Sequence, residues 1–156
     1  MTQQAKNEIL TLLFNAYRRY PSDVVDISQV AARHGMETRT LYEELYNARY
    51  IRREMVSGPG GAIHCTISLF GISQIDPLFL VRKYNQILLG LHQQGGSGNI
   101  PEILKIQPLH YQMALELTDE LKQMGLIDAG GASFADNFLF AELTPMGRTK
   151  AQQGGL

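Results

Sequence analysis

The sequence predicts an α+β, mostly helical chain built from two similar units in tandem, each of three helices followed by a β-hairpin. Three observations carry that expectation. Apolar residues recur at helical spacing over most of the 156 residues. In each half, two strand-like stretches flank a glycine-containing turn or loop after the third helical segment. The order helix, helix, helix, hairpin then occurs twice, as duplication would leave it.

Residues 5–20 place Ile9, Leu12, Leu13, Ala16 and Tyr17 at helical spacing, with Arg18 and Arg19 near the C-terminal end, where cations suit the helix dipole. Pro21 stops this helix, and residues 22–26 form a loop or short strand. Residues 27–35 read as a short helix that turns Ile27, Val30 and Ala31 inward and closes on a left-handed Gly35. Thr38 is placed to cap the next helix, whose Leu41, Leu45 and Ala48 form one stripe. IRREMV and AIHCTISLF then read as two strands joined by the turn SGPGG.

In the second half, residues 77–94 form a helix with Pro77 in its first turn. GGSGN (95–99) reads as a flexible loop, and residues 100–106 as a short helical segment. Pro108 opens a helix with Leu117 and Leu121 inside. Residues 126–130 and 138–144 are strands around a loop, and Thr144 caps a last helix beginning at Pro145. Leu41, Leu45, Tyr50 and Ile51 stand 76 positions before Leu117, Leu121, Leu126 and Ile127, and Ile27 and Val30 likewise precede Ile103 and Ile106. The boundary falls between Ser73 and Pro77, giving domains 1–75 and 76–156, and so short a joint implies that the two pack together.

Composition narrows the function. A hydrophobic fraction of 44% with 19% charged residues is that of a folded protein. No apolar run approaches the roughly 18 residues of a membrane span, and MTQQAKNEIL has no signal-peptide pattern, so a cytoplasmic protein without a membrane partner is expected. The single cysteine, Cys65, excludes an internal disulfide and a thiolate-rich metal site, and reads as a small buried strand residue. His34, His64, His92 and His110 have no ligand spacing, and no nucleophile or phosphate-loop signature occurs. No cofactor, metal or enzymatic activity is expected. With a net charge of -1, nucleic-acid contact would have to come from a local patch.

LYEELYNARYIRR and LTDELKQMGLI resemble the third helix and first hairpin strand of winged-helix domains. Those read Leu, three residues, Leu, three residues, Gly, then two apolar residues. Leu117, Leu121, Gly125, Leu126 and Ile127 match, whereas the first half carries Arg49 in place of the glycine, so its helix is expected to run further or end less tightly. ELTPMGRTKA also resembles the strand-then-helix ending of many winged-helix regulators. The resemblance implies two winged helices over nearly the whole chain, a fold that serves both DNA binding and protein assembly. It also implies a third helix that enters the major groove and a hairpin, the wing, that reaches a neighbouring groove or the backbone.

At about 100° per residue, burying Leu41, Leu45 and Ala48 turns Arg39, Thr40, Glu43 and Asn47 outward, with Tyr46 at the flank. Arg39 suits guanine, Asn47 adenine and Thr40 a phosphate. Arg33, His34, Arg49, Arg52 and Arg53 are expected to form a phosphate-contacting fringe. Against this, Arg39 and Glu43 are spaced to pair with each other, Glu43 and Glu44 bring negative charge, and only one of Arg52 and Arg53 can share the wing's outer face.

The corresponding face of the second half carries Leu115, Glu116, Asp119, Glu120 and Gln123, an acidic surface with one exposed leucine. Up to Ile75 there are 8 Lys/Arg and 7 Asp/Glu, and after it 6 and 8, leaving about +1 and -2. The second half is therefore expected to bind a partner, dimerise or hold the first in place, with Leu115, Glu116, Asp119 and Gln123 at the contact. Two functions stay open. One is a regulator of transcription, or a replication or plasmid accessory factor, binding double-stranded DNA through the first unit's third helix and wing. The other is an assembly module, homodimeric or partner-bound, that binds no DNA.

Overall fold

Helix α1 (Gln3–Arg19) starts where the Thr2 hydroxyl accepts the Ala5 N–H at 3.1 Å. It buries Ala5, Ile9, Leu10, Leu13, Phe14, Ala16 and Tyr17. Leu12, expected inside, lies just past the edge of that stripe and is 38% exposed. This is the computed structural model of the chain; it describes residues 1–52 and 56–156. Two units are defined, Met1–Pro77 and Leu78–Leu156.

The first unit continues through β1 (Val25–Asp26), α2 (Ser28–Arg33), α3 (Thr38–Asn47), β2 (Val56–Ser57), β3 (Ile63–Cys65) and α4 (Leu69–Ile75). Its strands form one antiparallel sheet in the order β1-β3-β2. Asp26 Oδ1 accepts the Ser28 N–H at 2.9 Å and so opens α2, which buries Val30 and Ala31 beside Ile27. Thr38 does not cap α3. It is the helix's first residue, Glu37 is the N-cap, and no side chain closes that end. Leu41 and Leu45 are fully buried, while Ala48 is only partly covered. The stretch expected to run on as a strand through Phe70 turns instead at Ser68, whose hydroxyl accepts the Gly71 N–H at 2.9 Å and starts α4.

The second unit repeats this order with α5 (Pro77–Gln93), β4 (Ser97–Asn99), α6 (Ile100–Leu104), α7 (Tyr111–Gln123), β5 (Ile127–Ser133), β6 (Phe138–Leu143) and α8 (Pro145–Gln152). Its sheet order, β4-β6-β5, is the same arrangement. GGSGN is not simply a loop: Gly95 and Gly96 turn the chain, and Ser97–Asn99 pair antiparallel with β6, where Asn99 Oδ1 accepts the Leu139 N–H at 2.8 Å. No described helix is long and apolar enough to cross a membrane.

The two units are most alike after the third helix. Arg49 (φ 63°) and Gly125 (φ 75°), 76 positions apart, both take the left-handed conformation that ends α3 and α7. The arginine therefore neither lengthens nor loosens its helix. The Ser68 hydroxyl donates to the Arg49 carbonyl, and the Thr144 hydroxyl to the Gly125 carbonyl, both at 2.6 Å. The same oxygens accept the N–H of Gly71 and of Gly147 at 2.9 and 3.0 Å. A Cβ on either glycine would run into the carbonyl of Tyr50 or of Leu126.

Before the third helix the register is different. Buried Ile27, Val30 and Ala31 correspond in position to buried Ile100, Ile103 and Leu104, 73 residues on. The expected pairing of Ile27 with Ile103 and Val30 with Ile106 is therefore offset by three residues. The second unit is longer there, where Lys105 is left-handed (φ 56°) and Pro108–His110 add a 3₁₀ turn.

Candidate nucleic-acid interface

The outer face of α3 follows from its buried stripe. With Leu41 and Leu45 inside, Arg39, Thr40, Glu43, Tyr46 and Asn47 are all exposed, and Arg49 is exposed just beyond the helix. Tyr46 stacks on Tyr42, with ring centroids 6.0 Å apart and planes at 29°. Burial pushes the Tyr42 phenol above its ordinary range, with Tyr46 a lesser cause. Tyr42 thus holds Tyr46 at the border between core and surface. Arg39 Nε donates to Glu43 Oε1 at 3.3 Å, one turn along, and both side chains remain more than half in solvent.

Of the expected phosphate fringe, Arg33, His34 and Arg52 have hydrogen-bond partners within the first unit. Arg33 forms a two-nitrogen salt bridge to Glu8 on α1, and His34 Nε2 lies 2.6 Å from the other oxygen of that carboxylate. The bonds from His34 first and Arg33 second hold the Glu8 carboxyl below its ordinary range. Arg33 and His34 therefore tie α2 to α1. Arg52 is only half-exposed: its Nε donates to Thr66 Oγ1 at 2.6 Å and an Nη donates to the Pro21 carbonyl at 3.1 Å. Bonded on two sides, it ties the residue after β3 to the start of the loop that follows α1. Arg53 lies outside the described residues.

The sequence reading missed Lys6. Its ammonium sits 4.7 Å from the centre of the Tyr50 ring, beside a groove of about 430 Å³ that Thr2, Gln3, Glu44 and Asn47 also line. A cation and an aromatic ring 44 positions apart have no local signature.

In the second unit, Asp119 and Gln123 are exposed, as projected, but Leu115 is half-buried. Its flank of α7 is covered more than helical projection alone implies, so the expected exposed leucine is corrected. Glu116 is also half-buried and accepts from Gln112 Nε2 at 3.2 Å. Glu120 lies close enough to raise the phenol of Tyr84, on α5, to about 12 together with the larger effect of burial. The face remains acidic.

Cys65 is fully buried, and burial pushes its thiol up to about 12, which suits a packing role. Among the described residues no group of three or more His, Cys, Asp or Glu is placed to hold a metal ion. No family model and no curated protein matches this chain.

Proposed function

We propose that this chain is a tandem winged-helix protein that binds double-stranded DNA through the third helix and wing of its first unit. The observation that carries the reading is the exposed row Arg39, Thr40, Tyr46 and Asn47, with Arg49 exposed just past its end, on a helix that follows a short helix and precedes an antiparallel hairpin. An α-helix fits a major groove about 12 Å wide. There, Arg39 reads the O6 and N7 edge of guanine, Asn47 reads adenine, and Thr40 with Arg49 holds phosphates. Few cations are available for phosphate, so the salt dependence is shallow, with a slope of about -0.9 per phosphate neutralised. A regulator of transcription, or an accessory factor of replication or plasmid maintenance, acting in the cytoplasm, fits this chemistry.

The test is a mobility shift of mixed-sequence duplex over a range of salt. Arg39→Ala combined with Arg49→Ala should weaken binding at low ionic strength by about tenfold, while Arg52→Ala should act on stability instead. A wild-type chain that leaves duplex unshifted at low salt refutes the reading.

A second reading, assembly without DNA, draws on a specific observation. Arg33 and Arg52 are hydrogen-bonded to groups of the first unit, and α7 offers Asp119 and Gln123 beside half-buried Leu115 and Glu116. A dimeric native mass with no duplex shift selects it.

A further inference from the structure

We infer that Glu43 is a positioning residue that aims the Arg39 guanidinium at guanine, and so sets base preference. The inference rests on α3 being the groove-reading helix. A carboxylate on such a helix is at first sight a handicap, since it repels phosphate. Its geometry gives it a use. Glu43 takes Nε, the inner nitrogen of the guanidinium, at 3.3 Å. Among the described residues that is the only hydrogen bond of Arg39, which leaves the fork of Nη1 and Nη2 for another acceptor pair. That fork matches the O6 and N7 atoms of guanine.

An unrestrained arginine at the same place would swing among rotamers and favour the nearest phosphate. Bonded one turn along its own helix, it loses part of that freedom before binding, and an aimed contact then costs less entropy. The charge adds a second effect: a duplex that offers no guanine at this position still brings its phosphates towards Glu43 and gains nothing in return. Both side chains are well exposed, 69% for Arg39 and 59% for Glu43, so changing either leaves the core alone.

The experiment selects bound sequences from a pool of duplexes with a randomised centre, using wild type, Glu43→Gln, Glu43→Ala and Arg39→Ala. Wild type should enrich guanine at one position by about tenfold or more, the size expected for one bidentate contact. Glu43→Ala should bind mixed duplex more tightly, by roughly 2- to 5-fold, because a repelling charge is gone. Its guanine enrichment should fall by at least about threefold, since the arginine is no longer held. Glu43→Gln keeps an oxygen for Nε without the charge, so it should bind more tightly yet keep most of the enrichment. Arg39→Ala should lose the enrichment whatever stands at 43.

Guanine enrichment in Glu43→Ala equal to wild type overturns the positioning role while leaving DNA binding intact. Wild type that retains no duplex overturns the reading beneath it as well. Equal loss in Glu43→Gln and Glu43→Ala also counts against the inference, because it makes the charge and not the held nitrogen responsible.

Discussion

The ends of α3 and α7 are built alike, and the faces in front of them are not. Each helix closes on a left-handed residue whose carbonyl receives a hydroxyl from the start of the following helix. Each of those helices has a glycine where a Cβ would strike a carbonyl. On the outer faces, Arg39, Thr40 and Glu43 have Leu115, Glu116 and Asp119 as their counterparts. The difference teaches where this architecture tolerates change. Groups that satisfy the backbone at a helix end cannot be removed without leaving a donor or acceptor unpaired, whereas a solvated face can change sign at little cost in stability.

The comparison can be broken at its core. Leu45 and Leu121 are both fully buried and stand at matching positions. Truncating either to Ala should cost roughly 2–5 kcal/mol in urea unfolding, and by similar amounts. A loss several times larger in one variant would show that the two cores are not equivalent.

A sharper test lies at the helix ends. Arg49 holds a backbone conformation (φ 63°) that costs an L-residue roughly 1 kcal/mol. Arg49→Gly should therefore stabilise the protein by about 0.5–1 kcal/mol, and Gly125→Ala should destabilise it by about as much. If Arg49 holds a phosphate, the stabilised glycine variant will also bind duplex less well. Gain of stability together with unchanged binding would remove Arg49 from the interface.

The smallest effect is in the pH dependence. Hydrogen bonds from His34 and Arg33 keep the Glu8 carboxyl below its ordinary value of 4.5. A carboxylate depressed on folding contributes stability above its unfolded pKa, and the contribution disappears as pH falls through the folded value. Unfolding followed from pH 6 down into the acid range should thus be steeper for wild type than for Glu8→Gln. Parallel curves would mean that the pairing has no weight in solution.

Much of this fold was legible because its signals are local. Helical stripes located α1, α5 and α7, and Thr144 before Pro145 marked the start of α8. Other features depend on partners far along the chain. Strand β4 is three residues long, too short to display an alternation, and is defined by its pairing with β6 some forty positions on. Helix α4 was hidden because AIHCTISLF reads as one apolar run, and only the cap at Ser68 divides it.

The site divided in the same way. The phase of Arg39, Thr40, Glu43 and Asn47 followed from Leu41 and Leu45, because one helix fixes all six. Whether a cation is available did not follow. Arg33 and Arg52 look as available as Arg39 in the sequence, but their partners, Glu8, Thr66 and Pro21, lie 14 to 31 positions away. Half-burial of Leu115 is equally non-local.

The hydroxyl of Ser68, and that of Thr144 in the second unit, has a mechanical consequence. One oxygen joins three pieces of backbone: the exit of the hairpin, the first turn of the helix after it, and the left-handed residue that closes the helix before it. Within a unit these pieces are coupled by the two hydrogen bonds of that one oxygen. A force that bends the hairpin is delivered to the end of its neighbouring helix, so whatever grips one of them also tugs on the other.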